Sequence, residues 1–156
     1  MSENLNPGIL VVDDQPENRM LMTEYLEDLG LPIDEAESGE KCLELLHKKK
    51  YTLVIMDIQM PGLNGFEVLE IMRKDEKMSE VPVVFVSTIF NSDQHIIKGI
   101  TGGAIDFIPK PVNIHILKSK VSSLVIMRHV KLIIVKRSPI RVFIPYTWNA
   151  SIVCIT

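Results

Sequence analysis

Polar side chains that could handle phosphate or a metal ion stand directly after aliphatic runs of this sequence. Asp13 and Asp14 are adjacent carboxylates, and the others are Asp57, Ser87 and Lys110. Two carboxylates about 4 Å apart near a surface repel by on the order of 4 kcal/mol, so a cluster of three favours a divalent counter-ion such as Mg²⁺. A carboxylate can attack phosphorus, and an ammonium and a hydroxyl can stabilise phosphoryl oxygens. If they converge, these residues predict phosphoryl transfer at a magnesium site.

The elements that must bring these side chains together alternate between aliphatic runs and amphipathic stretches. Strands alternating with helices predict an α/β fold, a doubly wound parallel sheet with helices on both faces. Ligands bind such sheets at the carboxyl ends of the strands, which is where the polar residues stand. The predicted strands are 8–12, 33–36, 51–57, 81–88 and 104–111, and the predicted helices are 16–30, 38–49, 65–74, 92–103 and about 112–127.

Length and composition are those of a globular protein of one domain. The 156 residues can bury a core, and 46% are hydrophobic and 24% charged. Cys42 and Cys154 lack metal-ligand spacing, which favours a reducing compartment. The amino terminus has no signal-peptide pattern, and no uncharged apolar run reaches the ~18 residues of a membrane span. We therefore expect a cytoplasmic protein.

The charges are unevenly distributed along the chain. Asp106 is the last acidic residue, so only Lys, Arg and His carry charge after it. We expect a compact domain over 7–127 and a basic, apolar tail over 128–156. The tail could be an arm that contacts DNA or an acidic partner, or an atypical terminus that follows a truncated longer protein. Nucleic-acid binding is expected only through this tail.

Four motifs, in order and at their spacings, resemble the receiver domain of two-component response regulators (the CheY-like family). They are VVDDQPENR, VIMDIQMPGLNGFEVL, VPVVFVST and AIDFIPKP. The resemblance covers about residues 7–124. It implies a flavodoxin-like (βα)₅ fold with strand order 2-1-3-4-5. It also implies a signalling switch that catalyses only its own phosphorylation and slow dephosphorylation.

The resemblance assigns roles to the residues of the predicted site. Asp57 matches the phospho-acceptor, which receives its phosphoryl group from a histidine kinase or a histidine phosphotransfer protein. Asp13 and Asp14 match the acidic pair that holds Mg²⁺, and of the two Asp14 is favoured as the direct ligand. The backbone carbonyl of Gln59 would be a further ligand. Lys110 matches the lysine that contacts the phosphoryl group.

The resemblance also implies a conformational switch. Ser87 would turn toward the phosphoryl group, and Phe107 matches the aromatic residue that then turns inward. This would repack the face formed by the fourth predicted helix, the fifth strand and the fifth predicted helix. A downstream protein would bind this face, and a homodimer is an alternative.

Neighbouring positions would tune the site. Gln59 and Ile89 stand where the family sets phosphate lifetime, and an apolar Ile89 predicts slow self-dephosphorylation. The bond between Lys110 and Pro111 is a candidate cis peptide. In the turn after the acceptor, Gly65 would permit a backbone angle that other residues resist. The residues of that turn are Met60, Pro61 and Gly65.

Two other functions remain as alternatives. A degenerate receiver would act as an interaction module without phosphorylation. A phosphatase of the haloacid dehalogenase type also has an Asp nucleophile after a strand. It requires a second Asp two residues later, where this sequence has Gln59.

Overall fold

A computed structural model describes residues 7–88, 99 and 101–137 of the chain, with side chains up to 131. The described part contains five strands, three α-helices in its first half, and a long C-terminal helix. In chain order the elements are β1 (Gly8–Val12), α1 (Pro16–Leu26), a 3-10 turn (Glu27–Leu29), β2 (Ile33–Ala36), α2 (Gly39–Lys48), β3 (Tyr51–Met56), α3 (Gly65–Lys74), β4 (Val83–Ser87), β5 (Asp106–Pro109) and the C-terminal helix (Ile114–Arg137).

The five strands form one parallel sheet in the order β2-β1-β3-β4-β5. The α/β fold and the strand order predicted from the sequence are therefore confirmed. The three inner strands are predominantly apolar because both of their faces are covered, and every residue of β3 is buried. The strand order changes direction between β1 and β3: β2 is added on one side of β1, and β3, β4 and β5 are added on the other. This is the position where sheets of this kind bind their ligands.

The helices begin where the sequence supplies caps. The Ser38 hydroxyl accepts a hydrogen bond from the Lys41 amide at the start of α2. Asn64 and Glu67 form a reciprocal capping box at the start of α3. α1 begins with Pro16, whose missing amide hydrogen costs nothing in a first turn. These caps fix where the loops before α2 and α3 end, and the loop before α3 leads away from Asp57.

Two apolar layers hold the helices on opposite faces of the sheet. One layer joins the sheet to α2 and α3 and includes Leu46, Val68 and Phe85. The other joins it to α1 and the C-terminal helix and includes Leu26 and Leu117. Both faces of the sheet are therefore packed, and a ligand can reach the strands at their carboxyl ends rather than on a face.

The C-terminal helix differs from the prediction at its end. The sequence pattern predicted a helix over about 112–127, and the structure has Ile114–Arg137. No glycine or proline interrupts the chain until Pro139, so nothing stops the helix where the core ends. The proposed boundary between domain and tail, 127/128, lies inside this continuous helix. Of the helix predicted over 92–103, all but 99 and 101–103 lies outside the described residues.

None of the helices in the described ranges is both long enough and apolar enough to cross a membrane.

Candidate functional site

The backbone hydrogen bonds of the sheet place Asp13 and Asp57 side by side. The Asp57 amide donates a hydrogen bond to the Val12 carbonyl at 2.9 Å, one residue beyond the end of β3. The Asp13 amide donates to the Ala36 carbonyl at 3.2 Å, one residue beyond the end of β1. The parallel register therefore continues past both strand ends and brings Asp13 next to Asp57.

Asp13, Asp14 and Asp57 form the acidic cluster that the sequence predicted. Each offers a carboxylate oxygen, and these oxygens lie within 4.8 Å of one another. Asp13 is fully buried and Asp57 is 7% exposed, whereas Asp14 is half-buried. Within the described part of the chain, the Asp14 carboxylate has no hydrogen bond or ion pair. Asp14 is thus the carboxylate of the three that is open to a new ligand.

The Asp13 carboxylate is held by the start of α1. The backbone amide of Gln15 donates to Oδ1 at 2.9 Å, and the Asn18 side-chain amide lies 3.2 Å from each carboxylate oxygen. Arg19 donates from Nη1 to the Asp13 backbone carbonyl at 2.7 Å. These contacts fix both the carboxylate and the peptide group that leads to Asp14.

Lys110 reaches the same cluster from the end of β5. Its Nζ donates to Asp13 Oδ2 at 2.8 Å and to Asp57 Oδ2 at 3.0 Å, and its side chain is 17% exposed. Burial lowers the pKa of Lys110, but the hydrogen bonds and charges of Asp13 and Asp57 outweigh it, so the pKa lies above its usual value. The Lys110 amide donates to the Ser87 carbonyl at 3.1 Å, and the bond to Pro111 is cis.

The charges of the site suit a hard divalent cation. One ammonium faces three carboxylates, so two negative charges remain when all are ionised. All three acids offer oxygen atoms, the ligands that Mg²⁺ requires, and Asp14 is half-exposed. The residues present therefore fit a magnesium ion.

The loop after Asp57 is held close to the carboxylate. The Gln59 amide donates to Asp57 Oδ1 at 3.2 Å, while the Gln59 side chain is exposed. Met60 is buried and Pro61 is exposed. This loop therefore holds one oxygen of Asp57 while Lys110 holds the other.

The expectation for the Gly65 backbone angle is wrong. Gly65 is the first residue of α3 and has no positive φ; the glycine of this turn with a positive φ is Gly62, at 75°. Gly65 is required for another reason. A Cβ there would lie 2.7 Å from the Asp57 carbonyl and 2.9 Å from the Ile58 α-carbon, so only glycine lets α3 begin this close to the acceptor strand.

The predicted switch residues lie at neighbouring strands. Ser87 ends β4 and is fully buried. Phe107 lies in β5 with its ring centroid 5.5 Å from that of Phe85, and a Cβ on Gly99 would come within 2.2 Å of the ring. Phe107 is half-buried, between Phe85 and Gly99. Ile89, the predicted lifetime position, lies outside the described residues.

Asn18 and Arg19 contact the site but were not among the predicted site residues. The signal for them is that both stand in the first turns of α1, five and six residues after Asp13, where a helix turns its side chains back toward its amino terminus. Glu35 and Thr23 extend this arrangement. Glu35 Oε2 lies 3.7 Å from Arg19 Nε, and the Thr23 hydroxyl donates to Glu35 Oε1 at 3.0 Å.

The response regulator receiver domain is the family whose model matches residues 9–122. The chain belongs to this family. The match includes every predicted site residue, and it ends before the last half of the C-terminal helix.

Curated relatives support the same assignment. Protein PilH of Pseudomonas aeruginosa is 40% identical over 107 residues, which is 67% of this chain and 86% of PilH. A cyclic di-GMP phosphodiesterase of Thermotoga maritima is 35% identical over 114 residues, 73% of this chain. The chain spans 30% of that phosphodiesterase, so the similarity concerns less than a third of that protein.

Solved receiver structures share the fold. The response regulator TrrA of Thermotoga maritima, solved in complex with Mg²⁺ and BeF, matches with a TM-score of 0.67 and 36% identity. The match covers 76% of this chain and 98% of TrrA. As a receiver domain, the chain is a signalling domain of two-component systems, and the acidic pocket that such domains use for Mg²⁺ is present as the cluster of Asp13, Asp14 and Asp57.

Proposed function

We propose that this receiver accepts a phosphoryl group onto Asp57 from the phosphohistidine of a histidine kinase or a histidine phosphotransfer protein, with Mg²⁺ held by the acidic cluster. The observation that carries the proposal is the contact of Lys110 with both Asp13 and Asp57 beside the open carboxylate of Asp14. This arrangement brings a nucleophile, an ammonium group held in place and uncompensated negative charge together at the carboxyl ends of the strands.

The residues of the chain divide the chemistry among them. A carboxylate oxygen of Asp57 forms a bond to phosphorus as the phosphorus–nitrogen bond to histidine breaks and its electron pair returns to the imidazole. The Gln59 amide and Lys110 orient the two Asp57 oxygens before the reaction. Bound Mg²⁺ would neutralise charge on the phosphoryl oxygens, with Asp13, Asp14, Asp57 and the Gln59 carbonyl as its ligands. Lys110 would then exchange a carboxylate contact for a phosphoryl oxygen.

The new charge at Asp57 would be read out through Ser87 and Phe107. The Ser87 hydroxyl, buried at the end of β4, would donate to a phosphoryl oxygen. The space that Ser87 vacates would admit the Phe107 ring, which is half-buried before the change. This is a shift between two conformations of the face that contains β5 and the C-terminal helix, and a downstream protein would bind one of them better.

The phosphate lifetime would be set by the side chains beside the site. Ile89 cannot hold an attacking water by a hydrogen bond, so we expect slow self-dephosphorylation. Ile89→Glu should shorten the lifetime of the phosphorylated protein, measured as the decay of phosphate from the purified receiver. An unchanged lifetime would contradict this role.

The proposal also covers the cellular location, the domain bounds and the output of the protein. We place the protein in the cytoplasm, with the receiver over 7–127 and output through contact with a protein partner. The tail over 128–156 is proposed as an extension without a role in phosphotransfer. Removing residues 129–156 should leave phosphorylation intact; a loss of folding would show instead that the tail belongs to the domain.

Transfer from a phosphohistidine donor tests the proposal. A radiolabelled kinase or phosphotransfer protein should pass its phosphate to the wild-type receiver in the presence of Mg²⁺. Asp57→Asn should abolish the transfer. Asp28→Asn, which removes an exposed carboxylate on the 3-10 turn, should leave it unchanged. Transfer to Asp57→Asn at the wild-type rate would refute the proposal, and a receiver that accepts phosphate from no donor would be the degenerate alternative.

A further inference from the structure

The Phe107 ring occupies a position that is open because Gly99 has no side chain. A Cβ on Gly99 would lie 2.2 Å from Phe107 Cζ and 3.1 Å from each of the two Cε atoms. Carbon atoms that are not bonded meet at about 3.5–4.0 Å, so an added methyl group would overlap the ring by about 1 Å or more. In any variant with a side chain at this position, either the backbone or the ring must therefore move.

Hydrogen bonds hold the backbone around Gly99 in place. The Gly99 carbonyl accepts a hydrogen bond from the Ala104 amide at 2.9 Å. The Gly103 carbonyl accepts one from Arg73 Nη2 of α3, also at 2.9 Å. These bonds tie the segment before β5 to the rest of the receiver. A clash at Gly99 is therefore relieved more easily by rotation of the Phe107 ring than by displacement of the backbone.

The ring shares one face of the sheet with the buried hydroxyl group of the predicted switch. Phe107 pairs with Phe85 in the register of β4 and β5, so both side chains lie on the same face, with ring centroids 5.5 Å apart. Ser87 follows Phe85 by two residues, belongs to the same face and is fully buried. Under the proposed switch, the second position of the ring is beside Ser87 on this face.

We propose that Gly99 holds the receiver in its resting conformation by leaving the outward position of the Phe107 ring open. A side chain at 99 would close this position and would raise the population of the conformation with the ring toward Ser87, before any phosphate is present. The inference rests on the proposed function, because that conformation is the one that phosphorylation would favour. Gly99 is a positioning residue, since it acts through Phe107 and touches no substrate.

The direction of the effect separates this role from a purely structural one. A substitution that only disturbs packing lowers stability and does not improve ligand binding. A substitution that removes the resting conformation strengthens binding, because a larger fraction of the free protein is already in the conformation that binds. The inference therefore predicts a gain of affinity from Gly99→Ala.

Calorimetric titration of the full chain with beryllofluoride, in the presence of Mg²⁺, tests the gain. Beryllofluoride mimics a phosphoryl group bound to a carboxylate. Gly99→Ala should lower the dissociation constant by at least about threefold relative to the wild type. Gly102→Ala is the matched control, since it makes the same change at an exposed glycine of the same segment without a positive φ, and it should leave the dissociation constant unchanged. Circular dichroism melting verifies that each variant folds.

A double-mutant cycle tests whether Gly99 acts through the ring. Phe107→Ala removes the atoms with which a side chain at 99 would clash. In a Phe107→Ala background, adding Gly99→Ala should change the dissociation constant for beryllofluoride by less than about twofold, because the two positions no longer interact.

Nuclear magnetic resonance reads the position of the ring directly. In the free wild-type protein, without Mg²⁺, nuclear Overhauser effects should connect the Phe107 ring protons to the Gly99 α-protons. In free Gly99→Ala, the ring should instead show contacts with the Ser87 side chain. Beryllofluoride with Mg²⁺ should remove the contacts with Gly99 in the wild type, a measurement that needs no substitution.

Four results would overturn the inference. They are an unchanged or higher dissociation constant for folded Gly99→Ala; an effect of this substitution that is equally large in the Phe107→Ala background; a ring that keeps its place beside residue 99 in Gly99→Ala; and a ring that stays beside Gly99 in the wild type with beryllofluoride bound. A wild-type receiver that binds no beryllofluoride would instead refute the proposed function, and the position of the ring in the free proteins would still decide the role of Gly99.

Discussion

The Asp13 carbonyl, held by Arg19 at 2.7 Å, shows how the site depends on residues that would not touch a substrate. The Arg19 side chain is 14% exposed, and its Nε is buried 3.7 Å from Glu35. By holding the peptide between Asp13 and Asp14, Arg19 would set the direction from which the Asp14 carboxylate approaches a cation. Residues that orient metal ligands in this way contribute to affinity without contacting the metal.

Arg19→Met tests this at the residue scale. The methionine keeps the apolar stem in place and removes the guanidinium. We expect the dissociation constant for Mg²⁺, measured by isothermal titration calorimetry, to rise by about tenfold. Arg73→Met is the matched control, because Arg73 also donates to backbone carbonyls, those of Ser79, Val81 and Gly103, but away from the acidic cluster. Equal losses of Mg²⁺ affinity in both variants would show that Arg19 acts through general stability alone.

Each strand of the sheet is positioned by its neighbours as well as by its own residues. Tyr51, at the start of β3, donates its hydroxyl hydrogen to Asp34 of β2 at 2.6 Å, across the intervening β1. Lys49 pairs with the same carboxylate. Burial raises the pKa of Asp34, but the hydrogen bonds from Lys49 and Tyr51 outweigh it and leave the pKa below its ordinary value of 3.8.

Asp34→Asn tests this at the element scale through pH. A carboxyl group whose pKa is lowered on folding stabilises the protein above its unfolded pKa and loses that effect as the pH falls through the folded pKa. At pH 7 the variant should be less stable by about 1 kcal/mol, a value reduced for partial exposure. The difference should shrink as the pH falls below 3.8. Urea unfolding at neutral and acidic pH measures it, and a difference independent of pH would contradict the ionic contribution.

How far the sequence predicted the structure also depends on the element. β1 was predicted with its observed bounds, because a buried parallel strand is an uninterrupted aliphatic run and "GILVV" is one. The predicted C-terminal helix ended about ten residues too early, at 127 instead of Arg137, since the β-branched residues after Met127 are poor evidence for a helix. The Gly65 angle was wrong because a sequence does not distinguish a glycine needed for its φ from one needed for close approach.

For the molecule as a whole, we expect the acidic cluster to link stability to Mg²⁺. Three carboxylates and one ammonium leave two uncompensated negative charges when all are ionised, which a bound cation would offset, and a ligand that binds only the folded state stabilises it. Asp14 has no internal partner within the described residues, so its carboxylate adds repulsion without a compensating hydrogen bond. If the cluster binds Mg²⁺ as proposed, part of the metal affinity would come from repulsion that lowers the stability of the free protein.

Asp14→Asn separates these two contributions. Without Mg²⁺ the variant should be more stable than the wild type, by on the order of 1 kcal/mol, because one repulsive charge is gone. With Mg²⁺ the wild type should gain stability and the variant should gain much less. Urea unfolding in EDTA and in millimolar Mg²⁺ measures both. A variant that keeps the full Mg²⁺-dependent gain would exclude Asp14 as a ligand.

The most direct measurement of the central claim is the mass of the receiver after incubation with acetyl phosphate and Mg²⁺, followed by peptide mapping. The wild-type chain should gain one phosphoryl group, located on Asp57. Asp57→Asn, or the wild type in EDTA, should gain none. A wild-type chain that remains unmodified, or an Asp57→Asn chain that is modified to the same extent, would contradict the account.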